Sequence, residues 1–464
     1  MAIAGVVTAD GKGNITSGTL DLNDSGFSAP LIANPITGGT YSVTADGRGK
    51  ATLTTSTPFG SNIKVDFVLS SSAHGLITQF DNNATGSGSL DLQSNVTQAQ
   101  LAGTYVFGLT GISGFDLSGN PIPAGTVGYL TIDASGNATG GMDYNNNGSA
   151  ANIDLIAGSN VLVGAPGSML LQGSSSTVNF SVYPIDATHL KVVESDGGSL
   201  ILTGDMFVQT STTFPAGNLA FTMAGLDFVN SVPVAMGGLL TSDGTTISSG
   251  VEDVDDGGVV TTTPLAVTGT ATFSCCRYLV QLNGFANGGT PGTFTFAAYP
   301  SAGGLQMIEI DGLGVTGGVA FTQTSTALAA TQGYAFNLSA ANSNGFEEDD
   351  IAEFTTTSSS FKGVIDFNDQ SQGTSSLSLN GTYTPDSPAT GRGVISSGAF
   401  NGAYYTVDSG TTLFLEADQN QLGLGSLQLQ SATAKSNLAQ AHFTMLRNLK
   451  PASMQKNKKK PARK

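Results

Sequence analysis

The sequence has no tryptophan, only two cysteines and few charges, with Asp, Glu, Lys and Arg together making up 11 % of 464 residues. That charged share is about half the usual one for a soluble domain. Without tryptophan, carbohydrate binding on the usual stacking platforms is disfavoured. The cysteines, Cys275 and Cys276, are adjacent, so there is neither a disulfide framework nor a metal-type Cys spacing. Neighbours on a strand point to opposite faces, which predicts a pair poorly placed to bond, serving as two small core or turn residues. No apolar run approaches the ~20 residues of a membrane helix. Helix formers in helical rhythm are almost absent. The N-terminus, Met1-Ala-Ile-Ala-Gly-Val-Val7, lacks the charged and apolar regions of a signal peptide, so a secreted form is expected to have shed its signal.

Basic residues are scarce until the end of the chain. Eight of the 17 Lys and Arg lie between Arg447 and Lys464, where there is no acid, leaving nine bases against 34 acids in the preceding 446 residues. An acidic body repels nucleic acid and anionic membrane, so neither is an expected partner. The tail, with Lys456, Lys458, Lys459, Lys460, Arg463 and Lys464, is expected to be a disordered solubilising end. What abounds is glycine, 62 residues, with Ser, Thr, Asn and Asp crowding the stretches between apolar runs. That profile suits many short strands joined by tight turns. An apolar share of 39 % argues against disorder.

Self-comparison reveals about four copies of one unit. Four segments end alike: Gly88-Ser-Leu-Asp-Leu-Gln93, Gly204-Asp-Met-Phe-Val-Gln209, Gly318-Val-Ala-Phe-Thr-Gln323 and Gly425-Ser-Leu-Gln-Leu-Gln430. Upstream of each lies a second matched strand, ending at Asp81, Asp196, Asp311 and Asp418. The first strands of three copies, Thr104–Leu109, Leu219–Met223 and Tyr334–Leu338, alternate, predicting one face in a core and the other in solvent. The expected divisions are residues 1–97, 98–213, 214–328 and 329–434, followed by a spare strand and basic tail over 435–464. The first copy lacks its first strand. Residues around Leu438 to Leu446 echo that strand and could complete the first unit, in the same chain as a closed ring or in the next chain as a fibre; a chain cut within a repeat accounts for the same pattern. About eight strands per copy, joined by turns such as Asp10-Gly11, Asp46-Gly47, Ser135-Gly136 and Asp243-Gly244, predict an all-β tandem array of antiparallel meanders. An up-and-down barrel is preferred to a sandwich because closure removes exposed edges.

The stretches Thr-Ala-Asp-Gly-Lys-Gly-Asn-Ile-Thr-Ser-Gly (8–18), Gly-Thr-Tyr-Ser-Val-Thr-Ala-Asp-Gly-Arg-Gly (39–49) and Gly-Ser-Gly-Ser-Leu-Asp-Leu-Gln (86–93) resemble uncharacterised secreted Gly/Ser/Thr-rich β-repeat proteins of soil bacteria. The resemblance implies a β-rich fold and an exported or cell-surface location. It carries over no catalytic residue.

The chemistry-bearing residues read mostly as structural. His74 and His189 share one turn position, where the third and fourth copies have Gly304 and Thr411, and a position open to glycine reads as surface. His442 completes the histidines, and no Gly-x-Ser-x-Gly elbow with its strand–helix context is present. Carboxylates two apart on a strand, Glu194 with Asp196, Glu309 with Asp311 and Glu416 with Asp418, share a face and read as solvated strand ends. Calcium is the one plausible ion. Its candidate ligands are Asp253, Asp255 and Asp256, with Glu347–Asp350 as a second acidic run; neither has EF-hand spacing. No other cofactor is expected. The sequence therefore points to a non-catalytic extracellular or cell-surface structural or adhesive protein, with an unidentified protein or surface partner. A small-ligand-binding barrel and a strand-exchanged fibre subunit are the alternatives.

Overall fold

The computed structural model describes residues 1–430, apart from 59, 118–120, 198, 262, 288–289, 343–346 and 370–371. The expectations for His442, for the segment around Leu438 to Leu446 and for the basic tail fall outside the described residues.

Local chemistry explains why the chain turns where it does. At the turn between Ala2–Ala9 and Asn14–Asn23, the Asp10 carboxylate accepts from the backbone N–H groups of Lys12 (2.7 Å) and Asn14 (3.0 Å). Asp133 and Asp243 repeat the arrangement at the matching turns of the second and third units. These short acceptor side chains satisfy backbone donors that a tight turn leaves unpaired. Alternating apolar residues then set which face of each strand is buried.

Neighbouring strands pair in chain order, giving four antiparallel meanders over residues 2–91, 103–208, 216–322 and 333–429. The fourth is a closed eight-stranded barrel, sealed where Gly333–Asn342 pairs with Gln421–Leu429. The third also closes: Ala216–Asp227 pairs with both Val232–Asp243 and Gly314–Thr322, and the ring continues through Thr246–Asp256 and Thr268–Ser274. In the second, the sheet path is open, but its end strand Asn160–Leu162 meets the start of Ala138–Asn146 at an Asn137–Asn160 bridge, flanked by Val161 N–H donating to Gly136 O at 2.8 Å. The first is an open seven-stranded sheet whose strands match the second to eighth of the others. The architecture is thus all-β, with barrel closure rather than a sandwich.

Each interior is filled by its own side chains. The fourth barrel packs Phe336, Phe354, Phe361, Phe400 and Phe414 about one another, with Phe336 and Phe400 ring centroids 4.7 Å apart. Tyr105, Phe107 and Leu109 fill the second unit, and Leu219, Phe221 and Met223 the third, as the alternation of the first strands predicts. The other face of those strands is not in solvent. Val106, Ala220 and Ala335 are fully buried because each packs on the neighbouring unit.

Candidate functional site at the unit junctions

The strand-ending glutamines explain that second buried face. Gln93 Nε2 donates to the Pro184 carbonyl of the second unit at 2.6 Å, Gln209 to Pro300 of the third at 2.9 Å, and Gln323 to Thr406 of the fourth at 2.8 Å. Gln430 donates to Leu69 of the first unit at 3.1 Å and to Asp46 at 2.8 Å. The acceptors occupy one position, near the end of the third strand from the end of each unit, opposite Leu190, Leu305, Thr412 and Gly75 respectively. Four tandem units therefore form a ring, the last touching the first as each touches the next. Gly391 and Gly47 stand beside two of these amides. Their φ values of 99° and 87° suit glycine, and a Cβ would lie 2.1 Å from Gln323 Nε2 and 2.9 Å from Gln430 Nε2.

A second set of contacts comes from the third strand. The runs Leu20-Asp-Leu-Asn23, Met142-Asp-Tyr-Asn145, Glu252-Asp-Val-Asp255 and Ile365-Asp-Phe-Asn368 occupy equivalent places. Within each, the second and fourth residues face the next unit. Asn145 donates to the Glu309 carbonyl at 2.7 Å, Asn368 to the Gln79 carbonyl at 3.0 Å and Asn23 to the Glu194 carbonyl at 3.2 Å. Asn23 also bonds the Glu194 carboxylate. The paired-carboxylate expectation is corrected here. Glu194, Glu309 and Glu416 are buried rather than solvated, each on the face of its strand that carries the interior residues of its own unit. Burial pushes the Glu194 carboxyl up to about 8, and those of Glu309 and Glu416 well above the usual carboxylate range.

The aspartates of these runs meet tyrosine or a cation. The Tyr299 hydroxyl donates to Asp143 at 2.7 Å, and Arg277 lies 3.0 Å from the same carboxylate. Asp253 accepts from Nε and Nη2 of Arg392, each at 2.7 Å, and from the Tyr405 hydroxyl at 2.7 Å. Asp366 faces Asp66 with the half-exposed Lys50 between them, 2.8 Å from Asp66 and 3.9 Å from Asp366. Burial and the Asp366 carboxylate raise Asp66 to about 6, against the opposing pull of Lys50.

The three expected calcium ligands are consequently not brought together. Asp253 and Asp255 face the fourth unit, Asp253 committed to Arg392, while Asp256 lies on the same side of its strand as Val254 and reaches Asn230. Among the described residues, no group of three or more His, Cys, Asp or Glu side chains is placed to hold a metal ion. In the second acidic run, Asp349 accepts from the Thr85 and Ser87 hydroxyls of the first unit at 2.7 Å each.

The two histidines require a larger correction. His74 and His189 are 4 % and 3 % exposed, not surface residues, because each is covered at the junction of the first two units. His74 Nδ1 lies 2.6 Å from Asp91, and His189 Nε2 lies 2.7 Å from Asp205 and stacks on Phe207. Lys191 bridges the pairs, 3.3 Å from Asp91 and 3.5 Å from Asp205, and also contacts Ser89. Burial raises Asp91, but the Lys191 charge and the His74 hydrogen bond outweigh it and hold the carboxyl well below its usual range. The two carboxylates likewise overcome burial at Lys191 and hold its ammonium form, so it is no general base for Ser89 at neutral pH. The matched turn position aligned the histidines with each other but gave no sign of their partners, since Asp91 and Asp205 lie on neighbouring strands and Lys191, on the His189 strand, reaches both.

Room for a ligand inside the third barrel is small. A cavity at one end, lined by Leu226, Met236, Phe294 and Glu309 among others, has about 10 Å³, the space of a single water. Among the described residues, no helix is long and apolar enough to cross a membrane. No family model and no curated protein matches the chain.

Proposed function

We propose that this protein is a non-catalytic structural or adhesive protein of the cell exterior, a ring of β units serving as a platform. The observation that carries this reading is the glutamine-to-carbonyl contact made at all four junctions, Gln430 to Leu69 included. The strand-ending glutamines and the Asn and Asp side chains at the junctions hold unit to unit, and the barrel interiors are filled. An enzyme would instead present convergent titratable groups in an open cleft. Turns on the ring offer apolar contacts: Leu117 and Val229, between the first and second strands of the second and third units, are 109 % and 66 % exposed. Exposed apolar tips on a rigid frame suit attachment to a surface or protein partner.

The test is protease shaving of intact source cells followed by fractionation with an antibody to the ring. The expected result is recovery in the shaved or exterior fraction. Confinement to the cytosol would overturn the reading. Purified ring should also bind the source cells or their substratum, less so after Leu117→Asp and Val229→Asp together.

A further inference from the structure

The turn between Thr268–Ser274 and Arg277–Asn287 consists of two residues, Cys275 and Cys276, closed by the Ser274–Arg277 pair. Two-residue hairpins favour Asn-Gly, Asp-Gly or Gly-Gly because the turn needs positive φ. Here Cys275 takes a φ of 62° without glycine's freedom. The expectation that adjacent cysteines face apart holds for a strand and fails for this turn. The sulfurs are 3.1 Å apart, with Cys275 exposed and Cys276 partly so, and both are free thiols.

We propose that Cys275 and Cys276 are a redox-active vicinal dithiol that exchanges with small disulfides. The exposed Cys275 thiolate attacks one sulfur of R–S–S–R, forming a Cys275–S–S–R mixed disulfide and releasing R–S⁻. The Cys276 thiolate then attacks the Cys275 sulfur, closing a ring through the intervening peptide and expelling the second R–S⁻. Two thiol protons pass to the two released thiolates. Two electrons pass from the cysteine pair to R–S–S–R, so the products are one protein disulfide and two R–SH.

The geometry favours a reversible switch over a permanent staple. Neighbouring Cα atoms stand about 3.8 Å apart across a trans peptide, inside the roughly 4.4 Å lower limit of ordinary disulfides. The closed form is therefore strained, and strained, exposed disulfides are the readily reduced ones. The pair also sits on the junction of the second and third units. The Tyr129 hydroxyl faces the Cys276 sulfur, Tyr129 stacks on Tyr299 at 6.3 Å, and the adjacent Arg277 holds Asp143.

The experiment uses the full-length, reduced protein incubated with oxidised glutathione, alkylated without further reduction and weighed intact. The expected product is lighter by about 2 Da, carries no glutathione and resists alkylation at both cysteines. Phenylarsine oxide, which needs two adjacent thiols, should protect the reduced pair at one molecule per chain. The Cys276→Ser chain, lacking the resolving thiol, should retain one glutathione on Cys275. Wild-type protein that keeps a glutathione adduct, stays fully alkylated or cross-links to a second chain would overturn the proposal, as would a Cys276→Ser chain that forms no adduct.

Discussion

The Gln430 side-chain amide donates to the backbone carbonyl of Leu69 across 361 residues of chain, in the same geometry that Gln323 uses toward Thr406 across 83. A part-buried amide-to-carbonyl bond of this kind contributes about 1 kcal/mol net. Gln430→Ala should therefore lower stability by about as much as Gln323→Ala, read by urea denaturation. Gly47→Ala should act in the same direction, since its new methyl would press on the Gln430 amide. A Gln430 substitution with no effect, beside a destabilising Gln323 one, would mean that the ring does not stay closed in solution.

Asp255 stands where the other three junctions have asparagine, and burial, with the Asp418 charge adding to it, raises its carboxyl to about 8. One of its oxygens is buried with no hydrogen-bond partner among the described residues. Asp255→Asn should stabilise the protein by about 1–3 kcal/mol above pH 8. Its effect should shrink below about pH 3, where the acid is protonated in folded and unfolded chain alike. Equal effects at both pH values would refute the assignment.

The wider pH profile follows from the same sign. Carboxyls raised on folding, Asp66 to about 6, Glu348 to about 7 and Glu194 and Asp255 to about 8, bind protons more tightly in the folded chain. The stability they contribute is complete below their usual values near 4 and is lost as pH rises to about 8. Asp91 and Asp205 are depressed, so their contribution is present above about 4 and is lost as pH falls. The melting temperature should peak in mild acid, higher at pH 5 than at pH 8.5. A scanning calorimetry series with a maximum at alkaline pH would contradict this account.

Lys191 and Arg392 neutralise buried acid at two different junctions. Removing one partner of a buried pair leaves an uncompensated charge and costs about 3–5 kcal/mol. Arg392→Met should approach that loss, because Asp253 is buried and keeps only Tyr405. Lys191→Met should cost less, since Asp91 and Asp205 keep the ring nitrogens of His74 and His189 as hydrogen-bond partners. The difference should narrow at low pH, measured by denaturant midpoint.

The strands, their order and the four-copy repeat were legible because alternation and turn chemistry act over a few residues. Tyr105, Phe107 and Leu109 face inward as their spacing requires, and Asp10, Asp133 and Asp243 make the turns expected beside glycine. Burial of the opposite faces was not legible. Nothing local distinguishes Val106 or Ala335 as junction residues rather than solvent-facing ones. The same limit misplaced His74 and His189, whose tolerance of glycine at the matching site of another unit said nothing of the carboxylates supplied from neighbouring strands or of the lysine that joins them.

By itself the sequence determined one modular β fold written four times, because hydrogen-bonded meanders need only short-range pattern and tight turns. The tertiary structure alone decided that the units bend into a ring, that acids spread along the chain are buried where units meet, and that two adjacent thiols face each other. Those outcomes depend on distances between residues far apart in sequence, or on the backbone angle of a single turn, and neither is encoded in the periodicity of any one segment.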